Sequence, residues 1–399
     1  MHILPILRAL MRNKTGALLI GLQIALTIAM LCNSLSIIQQ LGQRMHQPAG
    51  IDEANIFVLS TAFVDDPPDV KARLQGDLAA LRSLPGVIDA DTAITLPLGG
   101  GGYGEGISLK PDQRYPSAVG NMYFDTDHGL ATYGLKLTAG RWFHADEVID
   151  LRFYENVYPV SIVVTQELAQ ALFPAGDALG QQVWLSPAQS SRIIGVVATV
   201  AAPGGGKSQS MYLPEMPINK GGTYVVRTKP GTQTAVMRAA QERLFQLANQ
   251  RVIQNVMPFA EIRHRTFQLD RAVSIVLTAV CALLLAVTAC GIVGLTMYWV
   301  AQRRSQIGVR RALGARRIDV LAYFHTENLL IAGAGAVLGI GLGLAVNVRL
   351  ATNLELTRVS AVYVCAGALV VLALCQAAVL WPALRAASIS PASATRGLG

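Results

Sequence analysis

The chain has 399 residues, of which 52% are hydrophobic and only 15% are charged. Soluble domains carry about 25% charged residues, so this chain is strongly depleted of charge. The apolar excess and the lack of a short repeat exclude a disordered chain, a coiled coil and a collagen-like fibre. The composition therefore indicates a membrane protein.

Four stretches are nearly free of charge and long enough to cross a bilayer, which takes about 20 residues. They predict transmembrane helices at residues 15–43, 272–302, 321–348 and 359–384. Buried core helices rarely run so far without a charge. The first stretch follows three basic residues, as in a signal peptide, but it is too long for one and no small-residue cleavage site closes it. We predict an uncleaved signal anchor.

Basic residues are concentrated in three short segments next to the predicted spans. These are the N-terminal tail (1–14), the loop between spans 2 and 3 (303–320) and the C-terminal tail (385–399). Together they hold eleven Lys and Arg residues and one acid, Asp319. Residues 44–271 and the short loop 349–358 complete the chain between the spans. Because cytoplasmic loops carry the excess of Lys and Arg, we predict an inner (plasma) membrane protein with both termini in the cytoplasm.

The positive net charge of +8 is explained by these segments. The long segment between spans 1 and 2 holds 20 Lys and Arg and 22 Asp and Glu residues, a net charge of −2. No nucleic-acid partner is therefore needed to explain the basic character of the chain. With both termini inside, this long segment is predicted to lie outside the cytoplasm, and we call it the exported segment. All five cysteines fall in the predicted spans, so the exported segment has no disulfide framework. No Cys/His cluster has metal-ligand spacing, and we expect no metal and no catalytic residue.

The exported segment is long enough for its own core, and its two ends share a pattern. Near the start, a strand at 56–59 precedes a helix with Val70, Leu74, Leu78 and Leu81 on one face and a strand at 87–94. Near the end, a strand at 224–226 precedes a helix with Val236, Ala240, Leu244 and Leu247 on one face and a strand at 252–256. Both helices place apolar residues at i, i+4, i+8 and i+11. Two such βαβ units predict a ferredoxin-like α+β sandwich of the porter type.

A segment of different character separates these two units. Residues 99–214 alternate short β-like runs with glycine and aromatic residues, and a glycine run at 99–104 marks the entry as a loop. We predict a β-rich subdomain inserted into the ferredoxin-like half. The fold class is thus an α-helical membrane protein with four transmembrane helices and a large exported α+β domain.

One stretch imitates a phosphate-binding loop. Residues 201–208 follow a predicted strand and end in Gly-Lys-Ser. Such a loop needs a helix directly after it, so that backbone N–H groups face the phosphates. Pro214 and Pro217 oppose a helix here. We predict a surface loop without nucleotide, and no effect of Lys207→Ala on transport.

The loop after span 2 contains the most specific residues of the chain. Its sequence is Gln306-Ile307-Gly308-Val309-Arg310-Arg311-Ala312-Leu313-Gly314-Ala315. It resembles the signature E-I-G-[IV]-R-x-A-[LM]-G-A of the MacB/FtsX-like ABC transporter permeases, with Gln306 in place of glutamate. The stretch from Pro382 to Arg396 is similar to the closing pattern of that family, and Gly140-Arg141-Trp142-Phe143 to its periplasmic core. The resemblance covers nearly the whole chain.

The resemblance implies a permease whose ATPase is a separate subunit. Two ATPase subunits would bind ATP and Mg²⁺, so this chain would hold no cofactor. Members dimerise, and the second protomer would be a copy or a related permease. Some members also work with a periplasmic adaptor and an outer-membrane channel. The loop would form a short helix that presents Ile307 and Leu313 to a cleft of the ATPase, with Arg310 and Arg311 at the rim.

Two features of span 3 stand out. Gly335, Gly339 and Gly343 are spaced by four, which predicts a face where another helix packs closely, either of this chain or of a second one. His325 and Glu327 lie near the cytoplasmic end. We interpret them as a snorkelling interfacial pair rather than a proton site.

The resemblance implies ATP-driven movement of the exported domain that drives export. One alternative is an FtsX-like regulator of cell-wall enzymes, which the large exported domain disfavours. A lipoprotein-releasing permease shares the topology and stays open; a neighbouring gene for an adaptor or a lipoprotein chaperone would discriminate. A membrane-anchored enzyme is disfavoured because no nucleophile–base pair is evident.

Overall fold

The computed structural model describes residues 14–64, 69–99, 102–151, 158–203, 208–219, 221–248, 250–354 and 361–388. They form two compact units. The large domain is Arg44–Leu269, and the membrane unit comprises the described residues before and after it.

The helices of the described ranges are numbered in chain order. They are α1 (Lys14–His46), α2 (Val70–Arg82), α3 (Gly129–Tyr133), α4 (Gln166–Leu172), α5 (Gln233–Leu247), α6 (Phe259–Thr266), α7 (Gln268–Gln302), α8 (Arg304–Ala312), α9 (Arg317–Leu354) and α10 (Ala361–Ala387).

The strands of the large domain are numbered in the same way. They are β1 (Ile56–Phe63), β2 (Val87–Thr92), β3 (Tyr103–Ile107), β4 (Ala118–Asp125), β5 (Leu137–Gly140), β6 (Ile149–Leu151), β7 (Ser161–Thr165), β8 (Gln182–Ser186), β9 (Gln189–Val197), β10 (Ser210–Pro217), β11 (Gly221–Thr228) and β12 (Arg251–Pro258).

Four helices are long and apolar enough to cross a membrane: α1, α7, α9 and α10. This confirms the four-helix membrane part of the predicted fold class. The helices are longer than the apolar stretches that predicted them. In α9, regular backbone hydrogen bonding begins at Arg317 and continues to Leu354, beyond the apolar part at both ends. A charged side chain ends an apolar stretch, but it does not end a helix.

The first two and the last two strands of the large domain form a four-stranded antiparallel sheet in the order β12-β1-β11-β2. Helices α2 and α5 cover one face of this sheet. Their apolar faces share a buried cluster with the sheet, which includes Phe57, Leu59, Leu74, Leu78, Val226, Val236, Ala240 and Leu244. The ferredoxin-like half is thereby confirmed. Leu247 is the exception, because α5 ends there and the residue stays exposed.

A buried ion pair connects α2 to the sheet. The guanidinium of Arg251 donates to both carboxylate oxygens of Asp77, at 2.8 and 2.9 Å, and the hydroxyl of Tyr224 donates to the same carboxylate at 2.7 Å. The two charged side chains are 0% and 2% exposed. The carboxylate therefore satisfies its hydrogen bonds within the protein rather than in water.

The inserted subdomain contains a mixed eight-stranded sheet. Its main path is β3-β4-β10-β7-β9-β5, while β6 pairs with β10 and β8 pairs with β9. Pairs β4–β10, β6–β10 and β7–β9 are parallel, and the others run antiparallel. Leu168 and Leu172 of α4 belong to the buried cluster of this sheet. The observed strands β3 to β10 occupy the segment that was predicted to be an insertion rich in β-structure.

Aromatic residues fill the space between the inserted sheet and the ferredoxin-like half. Tyr123 and Tyr212 stack at 5.0 Å between ring centroids, and Trp142 meets Tyr212 edge-on at 5.3 Å. They share one buried cluster with Val58 and Val225 of the ferredoxin-like sheet. Side chains of both parts therefore contribute to one buried, close-packed cluster.

Candidate functional site at the loop helix

The loop between spans 2 and 3 contains the short helix α8, called the loop helix below. One of its faces is turned into the membrane unit. Ile307 and Gly308 are buried, and Ile307 belongs to the same apolar cluster as Val320 and Phe324 at the start of α9. The loop helix is therefore held in the membrane unit by apolar packing as well as by its short connection to α9.

This burial corrects the sequence-based assignment of Ile307. It was expected to face a partner together with Leu313, but it packs inside its own chain. The physical reason is the helical period. Residues six positions apart are about 120° apart around a helix, so the two side chains cannot share one face. Ile307 lies on the inward face, and Leu313 is exposed.

The end of the loop helix follows from one glycine. Gly314 has φ of +97°, a conformation that favours glycine. Its N–H donates to the carbonyl of Arg311 at 3.2 Å, and the N–H of Ala315 donates to that of Arg310 at 3.1 Å. This is a Schellman cap, in which two orphan carbonyls are satisfied as the chain leaves the helix. Gly314 thus ends the loop helix.

The outward side of the loop helix and the start of α9 expose three large apolar side chains. Leu313 is 83% exposed, and Val309 and Ile318 are exposed as well. Val309 and Leu313 are four residues apart, so they lie on one helical face. We call these three residues the apolar patch. The sequence analysis includes Val309 in the loop signature but assigns it no outward contact, and it does not single out Ile318.

The remaining residues of the signature lie around this patch. Gln306, Arg310, Ala312 and Gly314 are exposed, whereas Arg311 and Ala315 are half-buried. Arg316 and Arg317 are also exposed. The guanidinium of Arg310 lies over the ring of Tyr323, 5.6 Å from its centroid. An exposed apolar centre with guanidinium groups beside it suits a protein cleft with acidic edges, since patches of this kind mark interaction sites.

A buried ion pair stands directly behind the loop helix. Arg303 Nη1 lies 3.2 Å from the carboxylate of Glu327 and donates to the hydroxyl of Tyr323 at 3.1 Å. The side chains of Arg303 and Glu327 are 14% and 2% exposed. Glu327 was predicted to reach towards the membrane surface, and this is wrong because its charge is satisfied by an arginine of the same chain. Sequence spacing alone does not reveal that partner.

The same turn of α9 also contacts α10. His325 Nδ1 and Gln376 Oε1 are 2.8 Å apart, and Asn328 Nδ2 donates to the carbonyl of Cys375 at 3.1 Å. His325 is thus engaged with a neighbouring helix instead of a membrane surface. Polar contacts between helices are specific in an apolar setting, because their groups find few other partners there.

The three glycines of span 3 face α1. An added Cβ would lie 2.8 Å from the carbonyl oxygen of Gly21 at Gly335, 2.6 Å from that of Ala25 at Gly339, and 3.3 Å from the Cα of Ala29 at Gly343. The facing residues are also small and also spaced by four. Helices with small residues in register approach backbone to backbone. The partner that the sequence left open is therefore the first span of the same chain.

The large domain contains a buried pair of carboxyl groups, Asp91 on β2 and Asp125 on β4. Asp91 accepts from the N–H groups of Thr92 and Thr126 and from the Thr126 hydroxyl, at 2.8–2.9 Å. Burial raises the pKa of Asp91 to about 6 in spite of these hydrogen bonds. Burial and the charge of Asp91 raise the pKa of Asp125 well above its ordinary value. The pair connects the ferredoxin-like half to the inserted sheet.

No metal cluster of three or more His, Cys, Asp or Glu side chains is found among the residues that the structure describes. Two regions singled out in the sequence cannot be placed. Residues 204–207 of the Gly-Lys-Ser stretch and residues 389–399, which include the end of the C-terminal pattern, lie outside the described ranges.

Four spans with a large α+β domain between the first two, and a loop helix with an exposed apolar patch, define a multi-pass membrane protein of the permease class. Two family models match almost end to end. The MacB-like periplasmic core domain matches residues 17–244, and the FtsX-like permease C-terminal matches residues 278–391. The chain belongs to the MacB/FtsX-like family of ABC transporter permeases.

Individual relatives agree with this membership. The macrolide export ATP-binding/permease protein MacB of Chromobacterium violaceum is 27% identical over 353 residues, which are 85% of this chain and 51% of that protein. MacB 1/2 of Paracoccus denitrificans is 30% identical over 245 residues, which are 57% of this chain and 34% of that protein. The chain spans about half the length, or less, of these curated relatives.

A solved structure, the periplasmic region of MacB from Actinobacillus actinomycetemcomitans, is 16% identical to this chain. The match covers 56% of this chain and 97% of that one, with a TM-score of 0.36.

Proposed function

We propose that this chain is the permease subunit of an ABC transporter, in which ATP hydrolysis on docked ATPase subunits moves the large domain and drives export. ATP and Mg²⁺ would be bound by those subunits. A second permease protomer would complete the complex, and an adaptor with an outer-membrane channel would receive the cargo. The family membership supports the permease role.

The observation that carries the proposal is the exposure of Leu313. Leu313 is 83% exposed and lies next to exposed Val309 and Ile318. Burial of these side chains against a partner is favourable, because it removes apolar surface from water. Exposed Arg310, Arg316 and Arg317 would meet carboxylates at the rim of the same contact. The loop helix thus has the composition of a protein docking surface.

The polar residues of span 3 favour a mechanism in which the large domain moves, rather than one in which cargo passes between the spans. Between residues 321 and 348 of α9, all of which are described, the charged or titratable groups other than Tyr323 are His325 and Glu327. Both make polar contacts with neighbouring helices of the chain. They lie within one turn, so they do not form a path across a bilayer about 30 Å thick.

The orientation is part of the proposal. We place the termini and the loop helix in the cytoplasm of an inner-membrane protein, where ATP is available, and the large domain on the other side. The basic residues around the loop support this, because positively charged loops stay on the cytoplasmic side.

The test is a charge placed in the apolar patch. Leu313→Asp leaves every basic residue in place, so membrane insertion should be unchanged. Burial of the new carboxylate would weaken docking by about 2–4 kcal/mol, or roughly 30- to 1,000-fold. The measurement is co-purification of this chain with an ABC-type ATPase subunit that is expressed together with it, followed by transport by the complex. Ser305→Asp adds the same charge two turns earlier and serves as the control. Unchanged docking of Leu313→Asp would refute the proposal.

A further inference from the structure

Arg303 lies where three helices of the membrane unit meet. Its N–H donates to the carbonyl of Trp299 at the end of α7, at 3.0 Å, and its own carbonyl accepts from the N–H of Ile307 in the loop helix, at 3.0 Å. Its side chain reaches Glu327 and Tyr323 of α9. One residue therefore belongs to the backbone of two helices and to the side-chain contacts of the third.

The loop helix is fixed to α9 at three successive points. Arg303 holds its beginning through the ion pair with Glu327, Ile307 packs into the buried cluster of Val320 and Phe324, and Arg310 covers the ring of Tyr323. These points follow each other along the length of the helix. A rotation or a lateral shift of the loop helix on α9 would break at least one of them.

The ion pair is the contact that tolerates displacement least. Both charges are removed from water, and each satisfies the other at 3.2 Å. Separating them would leave an uncompensated buried charge, which is far more costly than a lost surface ion pair. Apolar contacts, by contrast, slide with little change in buried area. A buried ion pair therefore restricts the geometry of two helices even where it adds little net stability.

The end of α9 that receives this contact is also tied to other spans. Asn328, one residue after Glu327, donates to the carbonyl of Cys375 in α10. Further along α9, the glycine face packs against α1. A displacement applied at Glu327 would thus reach α10 and α1 through direct contacts within the membrane unit.

We propose that Arg303 and Glu327, with the hydroxyl of Tyr323, form a positioning unit that locks the loop helix to α9, so that movement of a docked ATPase is passed to span 3 instead of being lost at a hinge. The inference rests on the proposed function for the source of the movement. The locking itself is a property of this chain and is testable without an ATPase.

The first experiment measures the lock in the purified full chain in lipid nanodiscs. Spin labels are attached at the exposed positions Val309 of the loop helix and Leu329 of α9, with exposed Cys290 and Cys365 replaced by serine. We expect a narrow distance distribution in the parent chain and at least a twofold broader one in Glu327→Gln, which keeps the size but removes the charge. Arg304→Glu changes an exposed neighbouring arginine and should leave the distribution narrow.

Exchanging the two charges of the ion pair tests whether the pairing itself sets the position of the loop helix, or whether it only stabilises the chain. Arg303→Glu alone should broaden the distribution, and the double variant with Glu327→Arg should narrow it again. An unchanged distribution in Glu327→Gln would overturn the proposal. A double variant as broad as the single ones would also overturn it, because the pairing would then not be what sets the distance.

The second experiment uses the complex of this chain with an ABC-type ATPase subunit that is expressed together with it. Glu327→Gln should keep ATPase binding within about twofold of the parent and retain hydrolysis, while transport per ATP hydrolysed falls at least tenfold. Equal loss of binding, hydrolysis and transport would indicate a structural role and overturn the positioning role. Failure of the proposed function itself has a different signature: Leu313→Asp would dock normally while the distance measurements stay as expected.

Discussion

Gly339 of span 3 and Ala25 of span 1 are in backbone contact. A Cβ added at Gly339 would lie 2.6 Å from the carbonyl oxygen of Ala25 and 2.9 Å from its Cα. Real Cβ atoms essentially never approach so closely, so a larger residue forces the two helices apart. The contact makes α1 and α9 one packed pair within the membrane unit.

The first prediction concerns this contact. Gly339→Val should destabilise the membrane unit by about 1–3 kcal/mol, since overpacked cores must shift their backbones. Gly341→Val is the matched control, because a Cβ at Gly341 meets no atom within 4 Å. Thermal unfolding of the two purified variants in detergent provides the comparison. Equal midpoints would show that the helices separate without cost.

The second prediction concerns the ion pair of the ferredoxin-like half. Asp77→Ala leaves the buried guanidinium of Arg251 without its carboxylate and should cost about 3–5 kcal/mol of folding free energy. Glu261→Ala removes the exposed pair with Arg265 and should give no resolvable change. Urea unfolding of the full chain measures both. A stable Asp77→Ala variant would mean that water enters the site.

The third prediction is a pH dependence of the large domain. The pKa of Asp91 rises from 3.8 to about 6 on folding, so the folded state binds this proton more tightly. The stabilisation is fully present below pH 3.8 and is lost as the pH rises through 6. Asp91 alone should lower the free energy of unfolding of the domain by about 1–2 kcal/mol between pH 5 and pH 7.5. Asp125 contributes in the same direction.

Between pH 5 and pH 7.5, the ionisation of Glu147 does not change and so does not oppose this loss of stability. The guanidinium of Arg141 lowers the pKa of Glu147 to about 2, so Glu147 is ionised throughout this range. Burial raises the pKa of Glu215 to about 7, which adds to the expected loss. Asp125→Asn should therefore reduce the dependence without abolishing it. The urea midpoint at the two pH values, for the parent and this variant, is the measurement. A midpoint that rises with pH in the parent would contradict the assignment.

The fourth prediction concerns topology. Residues 100 and 101 of the glycine run lie outside the described ranges, so the exposed Tyr115 serves as the labelling position in the large domain. In intact cells, Tyr115→Cys should react with a membrane-impermeant thiol reagent, and Ser305→Cys at the loop helix should not. After lysis, both should react. The reverse pattern in intact cells would invert the proposed orientation.

Local periodicity explains which parts of the fold were predictable. The apolar positions of α2 and α5 repeat with the helical period, and two βαβ units admit few sheet orders, so the antiparallel order β12-β1-β11-β2 was within reach. The inserted sheet was not. Its parallel pairs join residues far apart in the chain, such as Asn121 with Ser210, and no local pattern encodes such a pairing.

The residues of the candidate site also divide into those that local sequence rules predict and those that depend on how the helices pack. Exposure of Leu313 and the glycine cap at Gly314 follow from local rules. The helical period also indicates that Val309, and not Ile307, shares a face with Leu313. The partner of Glu327 is different, because an ion pair between two helices depends on how the helices pack. Arg303 had been counted only as one of the basic residues that set topology. Its second role becomes visible only when the spans are assembled.

The insertion enters and leaves the ferredoxin-like half at neighbouring positions. The chain leaves the ferredoxin-like half after Thr92 and returns at Gly221, on two strands that are neighbours in the same sheet. Removing everything between them would leave that half with all four strands in their present order. The length of the insertion can therefore change without any change in the order of these four strands, because its entry and exit lie side by side at one place in the sheet.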